Sequence, residues 1–220
     1  MSVRLKPIPR SAFRAALATA TGETVSPGLA ASLHTHYEAL RLWAGRTALV
    51  GVGEAERVLE RHYAESLIAR QLVAPARNIV DLGSGAGFPG WVLAAAHPEC
   101  RFWLVEARQR KAAFLRSAAA RAGLSCRIVN ARVSRRQPLD QLLDSEGRPS
   151  GAIDLVTLRA VRWTEDICQG LGLVEGARVL RWEGAQAIEP VPGASPGRTV
   201  SLPHSNGRIQ EWLMAGSPGG

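Results

Sequence analysis

A doubly wound α/β fold, its sheet mostly parallel and preceded by a helical cap, is what this 220-residue sequence predicts, on three observations. Apolar residues recur at helical spacing as far as residue 73. From residue 78 onward, short apolar runs alternate with Ala- and Arg-rich stretches. The first of those runs opens directly into a cluster of glycines. Strands that alternate with helices are joined by crossovers, and crossovers make a parallel sheet. A chain of this length with 46% hydrophobic residues can bury one substantial core, so one domain with an appendage is expected over two equal halves.

The cap occupies residues 1–74. Phe13 and Leu17, then Leu33, Tyr37, Leu40 and Trp43, then Val58, Leu59, His62 and Leu67 follow three- and four-residue spacing. Ser26-Pro27 reads as an N-cap and first-turn proline, and Gly45, Gly51 and Gly53 interrupt the chain before a helix expected over 54–72. The main domain is expected over 75–215, with strands at 78–82, 101–106, 127–130, 153–158 and 178–182. Helices are expected between them at 89–96, 108–122 and 163–171, the second ending at Gly123. The Pro-rich segment 189–197 reads as a loop, 198–202 and 208–214 as an antiparallel hairpin around Ser205-Asn206-Gly207, and 216–220 as a disordered tail.

The net charge of +8 favours a polyanionic partner such as RNA. Only Lys6 and Lys111 are lysines, so almost all the positive charge is arginine, which clamps phosphate and stacks on bases. Cys100, Cys126 and Cys168 are odd in number, lack paired spacing and lie in apolar segments, which reads as reduced core thiols. No apolar run approaches a membrane span and residues 1–10 are basic without an apolar core, so a cytosolic protein with no membrane partner is expected, acting as a monomer.

The chemistry sits in Asp81-Leu82-Gly83-Ser84-Gly85-Ala86-Gly87-Phe88-Pro89-Gly90. Glycines between a strand and a helix let backbone N–H groups approach a nucleotide-like ligand closely. Gly85, Gly87 and Gly90 also satisfy the dinucleotide spacing, and Glu106 at the next strand end can accept the hydroxyls of a ribose, a need shared by NAD and S-adenosylmethionine. Asp81 tilts the choice. Its carboxylate would repel a pyrophosphate and attract the ammonium of S-adenosylmethionine.

With the loop, Glu106 and the basic helix after it, the sequence resembles the bacterial RsmG or GidB family of small-subunit ribosomal RNA guanine-N7 methyltransferases. The resemblance is carried by the glycine loop with its Gly-Phe-Pro-Gly ending, by Arg61-His62-Tyr63-Ala64-Glu65-Ser66-Leu67, by Glu106-Ala107-Arg108-Gln109-Arg110-Lys111-Ala112-Ala113-Phe114-Leu115 and by Leu158-Arg159-Ala160. It implies a class I, Rossmann-like methyltransferase fold, S-adenosylmethionine as cofactor, and 16S ribosomal RNA or the 30S particle as partner. By position it implies cofactor contacts from Gly83 and Phe88, beside those expected from the loop and strand end themselves, Asp81, Ser84, Gly85, Gly87 and Glu106. Val133 and Ser134 would lie on the adenine side, and Arg159 would hold the cofactor carboxylate or a substrate phosphate. Arg132 would help position the reactants, and with Arg135 and Arg136 would extend a basic rim toward RNA. No metal and no general base is expected, because guanine N7 carries a lone pair and no proton.

Three positions depart from the family pattern. Ser134 replaces an acid, Glu183 stands where lysine is usual, and Thr47-Ala48-Leu49 replaces Asn-Leu-Thr. An NAD-dependent oxidoreductase and a non-catalytic RNA-binding relative of the same fold are the alternatives.

Overall fold

The computed structural model describes residues 4–145, 151–186 and 189–215. The expected tail at 216–220 lies outside them. The cap begins with α1 (Arg10–Thr21), which buries Phe13 and Leu17, and α2 (Pro27–Trp43), which buries Leu33, His36, Tyr37 and Leu40. Ser26 caps α2 by accepting the Leu29 N–H, and Pro27 opens its first turn.

The single helix expected over 54–72 is instead a chain of unlike turns. A 3-10 turn (Val52–Arg57) leads into a π-helix (Leu59–Ala64), a single α-helical turn α3 (Glu65–Ile68) and a second 3-10 turn (Ala69–Leu72). The wider π turn carries Arg61, His62 and Tyr63, and such widenings are concentrated at functional sites.

The strands are β1 (Asn78–Leu82), β2 (Arg101–Val105), β3 (Arg127–Val129), β4 (Leu155–Arg159), β5 (Arg178–Glu183), β6 (Ala194–Ser201) and β7 (Arg208–Met214). They form one sheet in the order β3-β2-β1-β4-β5-β7-β6, parallel through β5 with an antiparallel terminal hairpin, as expected. β1 and β5 are buried along their whole length, although Asn78 and Asp81 in the one and Arg178, Arg181 and Glu183 in the other interrupt their apolar residues. The order reverses between β1 and β4, the place where open α/β sheets bind ligands.

The helices between the strands are α4 (Gly90–Ala96), α5 (Gln109–Ala122), α6 (Leu139–Ser145) and α7 (Glu165–Leu171). α5 ends at Gly123 in the left-handed conformation, as its sequence predicts. α7 starts two residues later than expected because the Thr164 side chain accepts the Ile167 N–H. α6 was not expected. β6 starts earlier than expected, so 194–197 belong to a strand; Pro196 and Gly197 disguise it, and the pairing with β7 is irregular between Pro196 and Thr199, as proline on an edge strand requires.

One hydrophobic cluster joins cap and sheet domain, with Phe13, Tyr37 and Tyr63 packed with Phe88, Trp91 and Phe114. All three cysteines are free, but only Cys100 is fully buried; Cys126 and Cys168 are half-buried. Among the described residues, no helix is long and apolar enough to cross a membrane.

Candidate cofactor and substrate site

Residues 83–90 turn from β1 into α4 across the end of β2. Gly83 and Ser84 both donate their N–H groups to the Val105 carbonyl, at 2.8 and 3.0 Å. Gly83 has φ +70°, and a Cβ there would stand 2.4 Å from Val161 Cγ2. Gly85, at φ +57°, has room beside it, the nearest atom to an added Cβ, outside its chain neighbours, being the Gly83 carbonyl oxygen at 3.7 Å. Its N–H donates to Glu106 Oε2 at 2.8 Å, while Glu106 Oε1 accepts the Arg108 N–H at 2.7 Å. A carboxylate has about four lone-pair positions, so about two remain for a diol. Loop backbone beside a carboxylate with spare acceptor capacity fits the ribose of a nucleoside cofactor, the adenosyl ribose of S-adenosylmethionine included.

The loop is also held from behind. Asp81 is 1% exposed, and its Oδ1 accepts the Thr157 hydroxyl at 2.7 Å. Its Oδ2 has no well-aligned donor, although the Gly90 amide beside it favours the charged form. Burial dominates and pushes the Asp81 pKa up to about 6. The charge argument that singled Asp81 out assumes that it faces the ligand; the structure sets it under the loop, pinning β1 to β4. Ser84 reinforces this, its hydroxyl donating to the Asp81 carbonyl at 2.9 Å.

A second support comes from the cap. His36, fully buried on α2, donates from Nε2 to the Ala86 carbonyl at 2.9 Å, and its Nδ1 accepts the Tyr63 hydroxyl at 2.6 Å. A carbonyl only accepts, so the proton sits on Nε2. Burial lowers the His36 pKa to about 3 and the ring stays neutral. Gly87 closes on Trp91 and His36. Phe88, a family-implied cofactor contact, is 7% exposed and turns into the cap, where His62 stacks on it and His36 and Tyr63 meet it edge-on.

At the other strand ends, Val133 is buried and Ser134 pairs its backbone with Gln137. Gly170 of α7 lies so close that a Cβ on it would stand 2.5 Å from the Ser134 backbone. Arg132, Arg135 and Arg136 are exposed on this turn, and Asp166 accepts the Arg135 N–H at 3.1 Å. Arg159 lies elsewhere, between β4 and the cap, donating from Nη2 to Glu65 Oε2 at 2.8 Å and to the Arg61 carbonyl at 2.7 Å. Its Nη1 is buried without a partner. A cleft of about 520 Å3 opens here, lined by Arg61, Glu65, Arg159 and Glu183 among others. Glu183 is 4% exposed and pairs with Arg181 and with Arg208 of β7, at 2.7 Å for the latter. It clamps the hairpin to β5 and presents no free charge.

The structure therefore brings Gly83, Gly85 and Glu106 together, joins Arg159 to the cap segment that carries Glu65, and leaves the three exposed arginines on a separate rim. Sequence reasoning did not find His36, Thr157 or Val161. His36 lies on an apolar helix face, Thr157 in a strand and Val161 in the loop after β4, and the role of each exists only through a partner distant in sequence.

Comparison with known proteins agrees with this geometry. The GidB family model, rRNA small subunit methyltransferase G, matches residues 29–187. The chain is 34% identical over 146 residues to ribosomal RNA small subunit methyltransferase G of Mycolicibacterium smegmatis (strain ATCC 700084 / mc(2)155), covering 63% of this chain and 57% of the relative. It is 30% identical over 175 residues to the protein of that name from Mycolicibacterium gilvum (strain PYR-GCK), covering 78% and 73%. The chain thus spans little more than half of the first relative's length. Among solved structures, a mutant of MtNAS in complex with S-adenosylmethionine superposes with a TM-score of 0.57 at 13% identity, covering 94% of this chain and 77% of that one, a likeness of fold. With most of its length matched by the family model, the chain belongs to the GidB family, rRNA small subunit methyltransferase G.

Proposed function

We propose that this chain transfers the methyl group of S-adenosylmethionine to N7 of a guanine in 16S ribosomal RNA, free or within the 30S particle. What supports the reading is Glu106, anchored by the Gly85 and Arg108 amides at the mouth of a glycine-rich loop, in a chain that the GidB family model matches over residues 29–187. Residues 75–215 hold the cofactor and residues 1–74 form the cap that steadies it. In this reading the protein works in the cytosol as a monomer.

S-adenosylmethionine supplies a methyl group already activated on a sulfonium. The chain binds and orients it. Gly83, Ser84, Gly85 and Gly87 present backbone to it, Glu106 accepts its ribose hydroxyls, and Val133 and Ser134 flank the adenine. Asp81 and Phe88 act by bracing the loop from below and from the cap. Arg159 positions the reactants from the end of β4 through its unpaired Nη1, with Arg132 on the opposite rim, while Arg135 and Arg136 meet phosphates. Because N7 offers a lone pair and loses no proton, rate comes from alignment and exclusion of water. His36 and His62 are kept neutral by burial, with pKa values lowered to about 3 and about 4, and the reaction requires neither of them to give or take a proton.

The test is N7-methylguanosine in digested 16S ribosomal RNA from cells with and without this gene, read by mass spectrometry. The modification should vanish with the gene and return when the purified chain and S-adenosylmethionine are added to the undermodified 30S particle. Unchanged methylation would overturn the reading.

A further inference from the structure

The end of β4 divides two clefts that share Ala160 and Trp182. The first, toward the cap, contains Arg159. The second, of about 640 Å3, lies beyond the loop 160–164 and is lined by Arg162, Trp163, Arg181, Glu189, Pro190 and Pro192 among others. The reading above gives it no task.

Four observations point to a ligand. The Arg181 side chain is 3% exposed, held by two hydrogen bonds to Glu183 Oε1, with its guanidinium carbon 5.3 Å from the centre of the Trp212 ring, yet its Nη1 has no partner. A buried donor left unpaired is costly in a folded protein unless something accepts from it. Trp163 is half-buried with its indole N–H also unpaired, and two prolines stand near it, so the cleft offers flat apolar surface beside unmet donors. Ala160, at the hinge between the clefts, holds φ +56°, the only non-glycine residue with positive φ among those described. Val161 next to it is the residue that an added Gly83 Cβ would strike, so the loop bordering this cleft is in register with the cofactor loop.

The charge pattern selects the ligand. Glu165 and Glu189 line the same cleft, so a phosphate group is disfavoured inside it, and Arg162 is an exposed cation for the backbone of a strand. A planar group with hydrogen-bond acceptors for the arginine and amino donors for the acids suits this pattern. Nucleobases carry both.

We propose that this cleft is a second RNA site, which takes an unpaired base from the strand next to the methyl acceptor, in contact with Trp163 and bonded to Arg181 Nη1. The identity of the ligand rests on the reading of the chain as an RNA methyltransferase. By fixing a neighbouring nucleotide, the site would set the register in which the acceptor meets the cofactor.

The probe is an eight-nucleotide single-stranded oligoribonucleotide carrying 4-thiouridine. Loss of a stacked base lowers affinity by about tenfold. Trp163→Ala should show that loss in fluorescence anisotropy, Trp163→Phe should keep most of the affinity, and S-adenosylmethionine binding by calorimetry should be the same in both. Photo-crosslinks on the unmodified protein should map to the peptide that contains Trp163, which keeps the test decisive if the alanine variant fails to fold. Crosslinks confined to other peptides, or parental affinity in Trp163→Ala, would overturn the second site while leaving methyl transfer intact. Absence of any oligonucleotide binding by the parent protein would overturn the site together with the RNA reading.

Discussion

Two stretches of one sheet edge are built in opposite ways. At the ends of β1 and β2, the loop amides find Val105 and Glu106, Ala86 finds His36, and His36 finds Tyr63. At the ends of β4 and β5, Arg159 Nη1, Arg181 Nη1 and the indole N–H groups of Trp163 and Trp182 are buried with nothing to bond. Proteins rarely leave buried polar atoms unpaired, and a group of them at one strand end calls for an explanation. The cradle's loop amides are bonded before a ligand arrives, with Asp81 Oδ2 and the Trp91 indole N–H left over behind the loop, whereas at β4 and β5 the unpaired donors are arginine and indole groups at the clefts.

The sharpest way to break this comparison is to fill the cradle. Gly83→Val drives a branched side chain into Val161 at a left-handed φ, and calorimetry should find S-adenosylmethionine affinity lowered by more than a hundredfold, with circular dichroism close to the parent. Gly85→Ala adds only backbone strain of about 1–2 kcal/mol, since its Cβ has room. Equal losses from the two changes would mean that Val161 does not close the loop.

A smaller effect is expected at the unfinished edge. Arg159→Lys keeps the charge and loses the guanidinium whose Nη2 holds Glu65 and the Arg61 carbonyl while Nη1 is unpaired, so methyl transfer should fall by about ten- to a hundredfold, on the order of 1–3 kcal/mol. Cofactor affinity should change less than threefold. A variant transferring at the parental rate reduces Arg159 to a distributed charge.

The cap brace gives a pH signature. His36 and His62 are depressed by burial to about 3 and about 4 from 6.5, so both take up protons on unfolding. Their contribution is present above pH 6.5 and is lost as pH falls through the folded-state values. Asp81 runs the other way: raised by burial to about 6 from 3.8, it lends stability below the lower value that is lost as pH rises through 6. Two histidines oppose one carboxyl, so the melting temperature should drop from pH 6.5 to pH 4. His36→Phe should flatten part of that drop while lowering stability by about 2–3 kcal/mol, as expected for orphaning the Tyr63 hydroxyl and the Ala86 carbonyl. An unchanged slope would show that His36 is not the buried neutral ring described.

The smallest effect belongs to the exposed rim. Arg135→Ala with Arg136→Ala should lower RNA affinity only several-fold, and should reduce the slope of log K against log salt by roughly 0.7–0.9 per lost contact. An unaltered slope would remove both from the interface.

The parts of this molecule that were readable beforehand are those whose signal is local. β1, β7, α5 with Gly123 and the Ser26-Pro27 helix start each follow from a run, a period or a cap within a few residues. The glycine loop and Glu106 were readable because a backbone-lined nucleotide site needs both, at a fixed distance along the chain. The irregular turns between 52 and 72 escaped notice because α, 3-10 and π turns share nearly the same apolar spacing. β6 escaped because Pro196-Gly197 resembles a loop. Asp81 was found for a charge that the structure turns inward, and His36 was passed over because one histidine on an apolar helix face looks like any core residue. Its partner, Ala86, lies 50 positions away.

The cluster that joins Phe13, Tyr37 and Tyr63 to Phe88, Trp91 and Phe114 also carries a consequence for how the chain is made. Synthesis runs from the N-terminus, so the cap is translated before Phe88, Trp91 and Phe114, which complete its core. At about 5–20 residues per second, the interval from the last cap residue to Phe114 is roughly 2–8 s. During that time the aromatic face of α1 and α2 has no lasting cover, and it is open to chaperones and to other nascent chains. The cap closes only when α4 and α5 arrive, and the same event brings Ala86 under His36. Completion of the nascent fold and readiness to accept the cofactor are therefore one step in the life of the chain.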